Sequence, residues 1–303
     1  MTQGAIPAPV TEPPLTALFW RAAPFIFLIF WSGGYPIGKL SLDYIEPLTL
    51  LVWRYALAVL ALVPFLFLHR PVWPKSARHW GAIAVTGFLI QCVYFGLAYF
   101  AMKQGMNAGT TAIIMALQPA VVAAVLPLLG QGHSGWLLWT GIGIGFAGVV
   151  LVVASQGALG PSPSVAILLA LGALAGISGA TLFEKWHGMK TDPVVGGIVQ
   201  YAVGFAILLP VAWLSETMVA DWQPELVLSL AYLTFANSVI AIGLFIALIQ
   251  RGDATRLSSL MYLVPPLAMA MSWLILGEPM GLLAFAGLAL SVGGVQLVAR
   301  ATG

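Results

Sequence analysis

Charge is scarce in this sequence. Only 7% of the 303 residues are Asp, Glu, Lys or Arg, whereas 60% are hydrophobic. A soluble domain carries about 25% charged residues, so this chain has too few to cover a water-exposed surface. The net charge of +2 is small, and the sequence has no basic run of the kind that binds nucleic acid. These shortages predict a protein that lies in a lipid bilayer and binds no nucleic acid.

Cysteine and membrane-embedded acids are also lacking. Cys92 is the only cysteine, which excludes an intramolecular disulfide. Every Asp, Glu and His falls at an end of an apolar run or between runs. An intramembrane enzyme needs a nucleophile–base pair or metal ligands at depth, and proton-driven carriers usually place Asp, Glu or His there. The sequence therefore predicts no enzyme, no metal and no cofactor. For a carrier, the lack of these groups favours passive flux of the substrate down its own gradient. A sodium site built from carbonyls and hydroxyls is the alternative that stays open.

Long hydrophobic runs, in contrast, are abundant. A run of about 20 residues crosses a hydrocarbon core of ~30 Å. The polar, proline-rich first twenty residues do not resemble a signal peptide, so we interpret them as a tail before a retained span. Lys and Arg fall mostly on the side of the N-terminus, which predicts cytoplasmic termini. The predicted spans are 20–40, 47–68, 79–101, 107–129, 134–154, 164–186, 193–214, 225–249, 255–276 and 280–299.

The chain contains an internal repeat. Sliding the sequence along itself by 146 residues aligns Lys and Pro residues that would not match by chance in so leucine-rich a chain. The sequence therefore predicts two copies of one five-span unit. Matching pairs include Ser32-Gly33 with Ser178-Gly179, Lys39 with Lys185, Pro47 with Pro193, Tyr55 with Tyr201, and Gly148 with Gly294.

An odd number of spans in each copy has a consequence for orientation. The second copy must enter the membrane from the opposite side, which produces inverted repeats. We predict a cytoplasmic tail at 1–19, a first repeat at 20–155 and a second repeat at 160–303. Inverted repeats are typical of secondary transporters, because exchanging the conformations of the two halves converts an outward-open shape into an inward-open one. This architecture favours a carrier.

The stretch GIGIGFAG at 141–148 has two interpretations. Its Gly-x-Gly-x-x-Gly spacing matches the dinucleotide-binding fingerprint, but that motif requires a preceding strand. Here the glycines lie inside an apolar run, where small residues four apart allow two helices to approach closely. We predict helix packing and no nucleotide. The residues predicted to pack are Gly141, Gly145, Gly148 and Gly294.

Four stretches support a family resemblance. They are FWSGGYPIGK in the first span, GMNAGTTAIIMALQPAVVAAV in the fourth, GDATRLSSLMYLVPPLAMAMSWLILGEPM around the ninth, and the glycine-rich fifth and tenth spans. With these motifs the chain resembles the EamA type of the drug/metabolite transporter superfamily over nearly its whole length. Within that superfamily it is most similar to bacterial exporters of aromatic amino acids.

The resemblance implies a fold and a function. The expected fold is an all-α membrane protein with ten transmembrane helices in two inverted five-helix repeats around a central cavity, with the fifth and tenth helices peripheral. The expected function is export of small metabolites, foremost neutral and aromatic amino acids, by alternating access across the bacterial inner (plasma) membrane. The expected partners are a small-molecule substrate and the lipid bilayer; a homodimer and a monomer are equally open.

Helix-breaking residues recur at matching places and predict hinges. Each mid-span proline removes a backbone donor and frees the carbonyl four residues earlier, which points to Met115 and Tyr262 as sources of free carbonyls beside a cavity. Plain kinks are the alternative, and Gly33 also suits close packing of the first span on the sixth. The predicted hinge residues are Gly33, Gly34, Pro36, Pro119, Pro265 and Pro266.

Arg54 is the ionisable residue that lies within a predicted span. Placing it there costs roughly 2.5–3.5 kcal/mol, so its side chain should face water, a partner or a ligand. Its repeat equivalent is the uncharged Gln200. Arg54 suits bidentate binding of a substrate carboxylate, with the ammonium at the freed carbonyls; snorkelling to the membrane surface is the alternative. The other candidate substrate-binding residues are Tyr55, Gln91, Tyr94, Tyr99, Met115, Gln118, Ser258 and Tyr262.

Several alternatives remain open from the sequence. Lys39 lies near Asp43 and Glu46, which suits either a gating ion pair or snorkelling at a helix end. The substrate could instead be another metabolite or drug, such as an amine or a nucleotide-like compound, exported with protons. A channel-like facilitator and a scaffold are further alternatives, and counterflow of labelled substrate distinguishes a carrier from a channel.

Overall fold

The computed structural model describes residues 14–68, 71–130, 135–155, 163–188, 191–250 and 260–302. These residues form ten helical segments, and no β-strand is found within them beyond one isolated bridge. The segments are α1 (Pro14–Ser41), α2 (Pro47–Leu62, then Phe65–Leu68), α3 (Ala77–Gly87, Phe88–Tyr94, Phe95–Lys103), α4 (Ala108–Met115, Gln118–Leu128), α5 (Trp136–Ser155), α6 (Pro163–His187), α7 (Pro193–Ser215), α8 (Pro224–Ala231, Tyr232–Ala241, Ile242–Gln250), α9 (Val264–Leu276) and α10 (Leu282–Thr302).

The lengths and compositions of these segments fit a bilayer. Eight of them, α2 to α8 and α10, are long and apolar enough to cross a membrane. The apolar α9 is shorter, with 13 residues. The 28-residue α1 occupies the first predicted span and packs on α8 and α9. The predicted all-α membrane fold is thereby confirmed.

Local chemistry sets the ends of several helices. Pro47 and Pro193, which are repeat equivalents, occupy the first helical positions of α2 and α7, where a missing N–H costs nothing. The Asp192 side chain caps α7 by accepting from the backbone N–H groups of Val194 and Val195. Gly277 ends α9 in the left-handed conformation, with φ 66°.

Contacts between connections show that the two repeats are inverted. The α1–α2 connection touches the α7–α8 connection, where the Asp221 N–H donates to the Tyr44 carbonyl over 2.9 Å. The α6–α7 connection instead touches the α2–α3 connection, where Val72 donates its N–H to Asp192 over 3.3 Å. Since α2 runs between these two places, α1 and α6 end on opposite faces of the protein. Equivalent first helices therefore cross the membrane in opposite senses.

The connections between the helices divide between these two faces. The Glu278 face comprises the connections 42–46, 104–107, 216–223 and 277–281. The Asp192 face comprises the described parts of the connections 71–76 and 188–192. Both Lys39 and Lys103 lie at the Glu278 face, where their side chains bind backbone carbonyls.

The helix interruptions obey the repeat. The α4 helix breaks at residues 116–117, and the helical turn before α9 breaks at 262–263, which is 146 residues later. Each break lies just before a proline predicted as a hinge, Pro119 in α4 and Pro265 with Pro266 in α9. Wide π-helical turns occupy equivalent parts of α3 and α8, at Phe88–Tyr94 and Tyr232–Ala241. Such turns frequently mark functional sites.

The first helix is continuous at its predicted hinge residues. It remains helical through Gly33, Gly34 and Pro36. The glycines serve close packing, although not against the sixth helix: a Cβ atom at Gly33 would lie 2.1 Å from the Tyr232 hydroxyl of α8. Bare backbone at this position is what allows α8 to approach.

The glycines of 141–148 lie in a continuous helix, α5, that packs antiparallel on α10. A Cβ atom at Gly141 would lie 2.8 Å from the Gly294 carbonyl oxygen, and one at Gly148 would lie 2.5 Å from the Gly287 carbonyl oxygen. The Gly145 amide nitrogen lies against Gly294 in the same way. Another helix therefore fills the space that a phosphate would need.

Candidate functional site

Arg54 is buried in the middle of the helical bundle. Its side chain is 1% exposed, so it does not snorkel to the surface. Its Nε and Nη2 atoms donate to the Ser238 hydroxyl over 3.1 and 3.0 Å, and Nη2 also donates to the Asn237 Oδ1 atom over 2.8 Å. The Nη1 atom donates to the Tyr99 hydroxyl over 3.2 Å. One repeat supplies the cation, and the other supplies two of its three polar partners.

The surroundings of Arg54 are neutral and aromatic. The guanidinium lies over the Phe95 ring, 4.5 Å from its centroid, which is a favourable cation–π contact. Among the described residues, none of the acidic side chains pairs with Arg54. Burying a charge without a counter-charge costs free energy, and hydrogen bonds to neutral oxygens offset only part of that cost. The site is therefore suited to an anionic group.

Two equivalent tyrosines join the π-helical turns to their neighbours. The Tyr55 hydroxyl donates to the Gln91 carbonyl over 2.7 Å, and the Tyr201 hydroxyl donates to the Ser238 carbonyl over 3.5 Å. The two rings pack together, with centroids 5.6 Å apart. Because α2 and α7 bring these residues together from the two repeats, the pair lies near the pseudo-two-fold axis. Arg54 immediately precedes Tyr55 in the chain.

The glycines of α1 hold that helix against the ligands of Arg54. A Cβ atom at Gly34 would lie 2.6 Å from the Asn237 amide nitrogen, and one at Gly38 would lie 2.6 Å from the Tyr99 hydroxyl. Asn237 also donates to the Phe30 carbonyl over 3.0 Å. The first helix thus covers the arginine site from one side.

The structure brings together only some of the predicted site residues. Arg54, Tyr55, Gln91, Tyr94 and Tyr99 lie on the facing sides of α2 and α3, and the Tyr94 hydroxyl is 3.3 Å from the Tyr35 hydroxyl. The remaining candidates lie elsewhere: Gln118 donates to Thr181 of α6 over 2.6 Å, Met115 and Tyr262 pack in the hydrophobic core, and Ser258 lies outside the described residues.

Sequence reasoning missed three neighbours of Arg54. Asn237 and Ser238 bind it, and Phe95 stacks under it. A signal for the first two was present, because both are polar residues within a predicted span, where polar side chains face inward rather than toward lipid. No comparable signal distinguishes Phe95 from the many other aromatic residues.

Carboxylates that reach across the repeat boundary close the Glu278 face. Glu278 pairs with Lys39 over 2.8 Å and accepts from the Ala108 N–H over 2.9 Å. Glu216 accepts from the N–H groups of Leu48 and Thr49 over 2.8 and 2.7 Å. Negative groups stabilise helix N-termini, so these two acids tie the second repeat to the starts of α4 and α2.

A narrow cleft lies beside Glu278 at this face. The cleft beside Glu278, which is lined by Thr110 and Met269 among others, measures about 20 Å³, close to the room that one water needs. The acid that pairs with Lys39 is Glu278, rather than the sequence neighbours Asp43 and Glu46.

Removing the charge of Glu278 should open this face. In a Cys92→Ser background, Glu278→Gln should increase the alkylation of a cysteine placed at Thr110 about tenfold, because charge-assisted hydrogen bonds to Lys39 and Ala108 are lost. A membrane-impermeant maleimide added from the Glu278 face measures this. The matched control is Glu225→Gln, which changes an exposed acid at the start of α8 on the same face. Equal alkylation in the two variants would contradict the closing role of Glu278.

The fold and site together define a class of protein, a membrane transporter built from two inverted helical repeats. The model of the EamA-like transporter family matches residues 18–154 and again residues 164–300. The two matched segments begin 146 residues apart, which is the offset that aligns the repeats. The chain belongs to the EamA-like transporter family.

Similar proteins occur in bacteria and plants. The chain is 29% identical over 275 residues to the uncharacterized transporter YvbV of Bacillus subtilis, with 89% of this chain and 88% of that protein covered. It is 26% identical to the uncharacterized inner membrane transporter YedA of Escherichia coli (91% and 89% covered) and to a WAT1-related chloroplastic protein of Arabidopsis thaliana (93% and 70% covered). A crystal structure with 18% identity matches with a TM-score of 0.62, covering 93% of this chain and 97% of the other.

Proposed function

We propose that this protein exports small carboxylate-bearing metabolites, foremost neutral and aromatic amino acids, by alternating access across a bacterial inner membrane. The observation that carries this proposal is Arg54, which is buried at the repeat interface with neutral partners only among the described residues. A substrate carboxylate supplies the missing negative charge, and the guanidinium fork matches its two oxygens.

The aromatic rings near Arg54 favour a substrate with an aromatic or apolar side chain. Phe95 and Tyr94 have ring centroids 4.5 Å apart, and Tyr35 and Tyr99 lie beside them. Ligand sites are mostly apolar, with a few polar groups that fix orientation. Arg54 provides the orientation here, and the aromatic rings provide the apolar surface.

Alternating access is supported by the repeats and by the closed Glu278 face. Carriers of this architecture expose a buried site between the repeats to one side at a time, and Arg54 lies inside the bundle, about two helical turns from the start of α2. We assign the Glu278 face to the cell exterior and both termini to the cytoplasm, because Lys and Arg favour the other side in the sequence. The inner-membrane relative in Escherichia coli supports the proposed location.

Passive flux fits the buried polar groups. Within the described residues, the polar and charged side chains of the core are Arg54, Gln91 and hydroxyl residues, with none of the acids or histidines that form proton relays. The gradient of the substrate itself then drives export. An imposed pH gradient should therefore leave the initial rate unchanged.

Counterflow in liposomes tests the proposed function. Vesicles that contain the purified protein and unlabelled L-phenylalanine should transiently accumulate external labelled L-phenylalanine, because a carrier exchanges the two. Labelled phenylalanine that only equilibrates would indicate a channel. Rates that rise with an inward-acid or outward-acid gradient would contradict passive flux, and inactivity with every amino acid tried would refute the substrate class.

A further inference from the structure

The buried amide oxygen of Gln91 has no hydrogen-bond partner among the residues that the structure describes. Gln91 is 4% exposed and lies in the π-helical turn of α3, and the unpaired atom is its Oε1. A buried acceptor left unpaired costs about 1–3 kcal/mol. Groups of this kind are few in folded proteins, and a ligand that completes the bond explains why one is retained.

The repeat symmetry explains which donor is missing. Tyr55 binds the Gln91 carbonyl as the equivalent Tyr201 binds the Ser238 carbonyl, so Ser238 is the counterpart of Gln91, and its hydroxyl accepts hydrogen bonds from Arg54. The equivalent of Arg54 is Gln200, which packs beside α3: a Cβ atom at Gly87, one turn before Gln91, would lie 2.8 Å from the Gln200 Cα atom. Gln200 gives no hydrogen bond to Gln91. One half of the site therefore has a cationic donor, and the other half has an acceptor without one.

The spacing along α3 places Gln91 on the side of the helix that faces Arg54. Phe95 and Tyr99, which contact the guanidinium, follow Gln91 at four-residue intervals. The Gln91 position is therefore about one helical turn before the residue whose ring lies under the cation. Gly204 lets α7 approach α3 closely at this point, since a Cβ atom there would lie 2.7 Å from the Gln91 Cβ atom.

We propose that the Gln91 Oε1 atom accepts a hydrogen bond from the α-ammonium group of a substrate whose carboxylate binds Arg54. This inference rests on the proposed function and narrows the substrate class from carboxylates to zwitterionic amino acids. It replaces the carbonyls near Met115 and Tyr262 as the expected ammonium site. The adjacent Tyr94 and Phe95 rings add attraction for a cation.

A pair of ligands that differ only in the amine tests this site. Purified wild-type protein should bind L-phenylalanine about tenfold more tightly than 3-phenylpropanoate, because a hydrogen bond to a charged group is lost with the amine. Titration calorimetry measures both dissociation constants. Equal affinities in the wild type would overturn the Gln91 site and leave the carboxylate proposal standing. Binding of neither ligand would refute both.

Substitutions then assign the preference to this residue. Gln91→Leu should weaken L-phenylalanine binding about tenfold and leave 3-phenylpropanoate unchanged, which abolishes the preference. If the leucine variant is not monodisperse, Gln91→Met provides the same comparison, because methionine is closer to glutamine in shape. Gln200→Leu is the matched control, and it should retain the wild-type preference. A preference that survives in both Gln91 variants would overturn the proposal, as would a loss shared equally by the two ligands.

Discussion

Arg54→Gln is expected to reduce counterflow of L-phenylalanine about 100-fold or more. Two charge-assisted hydrogen bonds to the carboxylate are lost together, and each contributes about 1.5–3 kcal/mol. Glutamine keeps a polar group between Ser238 and Asn237, so the loss reports the cation and its fork rather than an empty space. Initial rates in proteoliposomes measure the effect, with protein incorporation checked for each variant.

A ligand without the carboxylate serves as the internal control. Binding of L-phenylalaninamide to purified protein should change less than threefold in Arg54→Gln, since an amide carries no negative charge for the guanidinium to neutralise. Arg54→Lys should recover only part of the L-phenylalanine transport, because an ammonium lacks the bidentate geometry. Equal losses for the acid and the amide would show that Arg54 acts by holding α8 in place, and would refute its role in carboxylate binding.

Gly294→Val should destabilise the protein by about 3 kcal/mol, the upper end of the usual cost of overpacking. A Cβ atom at Gly294 would lie 2.3 Å from the Gly145 amide nitrogen and 2.5 Å from the Gly141 carbonyl oxygen. Both are backbone atoms, which cannot rotate away as a side chain can. Separation of α5 from α10 is the expected result, and the melting temperature of the detergent-purified protein measures it.

The neighbouring glycine provides a matched control. A Cβ atom at Gly293 would meet nothing within 4 Å, so Gly293→Val places the same side chain on the same helix without the clash. Its melting temperature should stay close to that of the wild type. If the two variants melt together, the α5–α10 contact is not what the glycines maintain, and close helix packing would be the wrong explanation for them.

The course of the chain through the membrane was predictable from the sequence. Apolar runs must be long enough to cross hydrocarbon, and backbone groups in lipid must bond within a helix, so hydropathy alone locates the spans. The offset that aligns Lys39 with Lys185 and Pro47 with Pro193 predicted two repeats of odd length, and inversion followed from the odd number. These are properties of local composition and spacing.

The site was only partly predictable. Arg54 stood out because a charge in an apolar run is rare and costly. The sequence did not show which way the Arg54 side chain points, because an arginine two turns from a helix end can reach either the surface or the interior. Close packing at Gly33 was one of the interpretations from the sequence, but the partner was not, because spacing along the chain does not show that Tyr232 and Asn237 of α8 fill the space beside Gly33 and Gly34.

The sequence by itself determined that this protein lies in a membrane, where its spans are, that it contains a duplication and that a cation lies within a span. Each of these properties depends on residue type and spacing along the chain. Tertiary structure decided which groups meet: Arg54 with Asn237 and Ser238, and Lys39 with Glu278, whereas the Gln91 Oε1 atom meets no donor among the described residues. Those pairings join residues up to 239 positions apart. The packing of helices from the two inverted halves determines these contacts. Hydropathy describes residue type along the chain and does not reveal them.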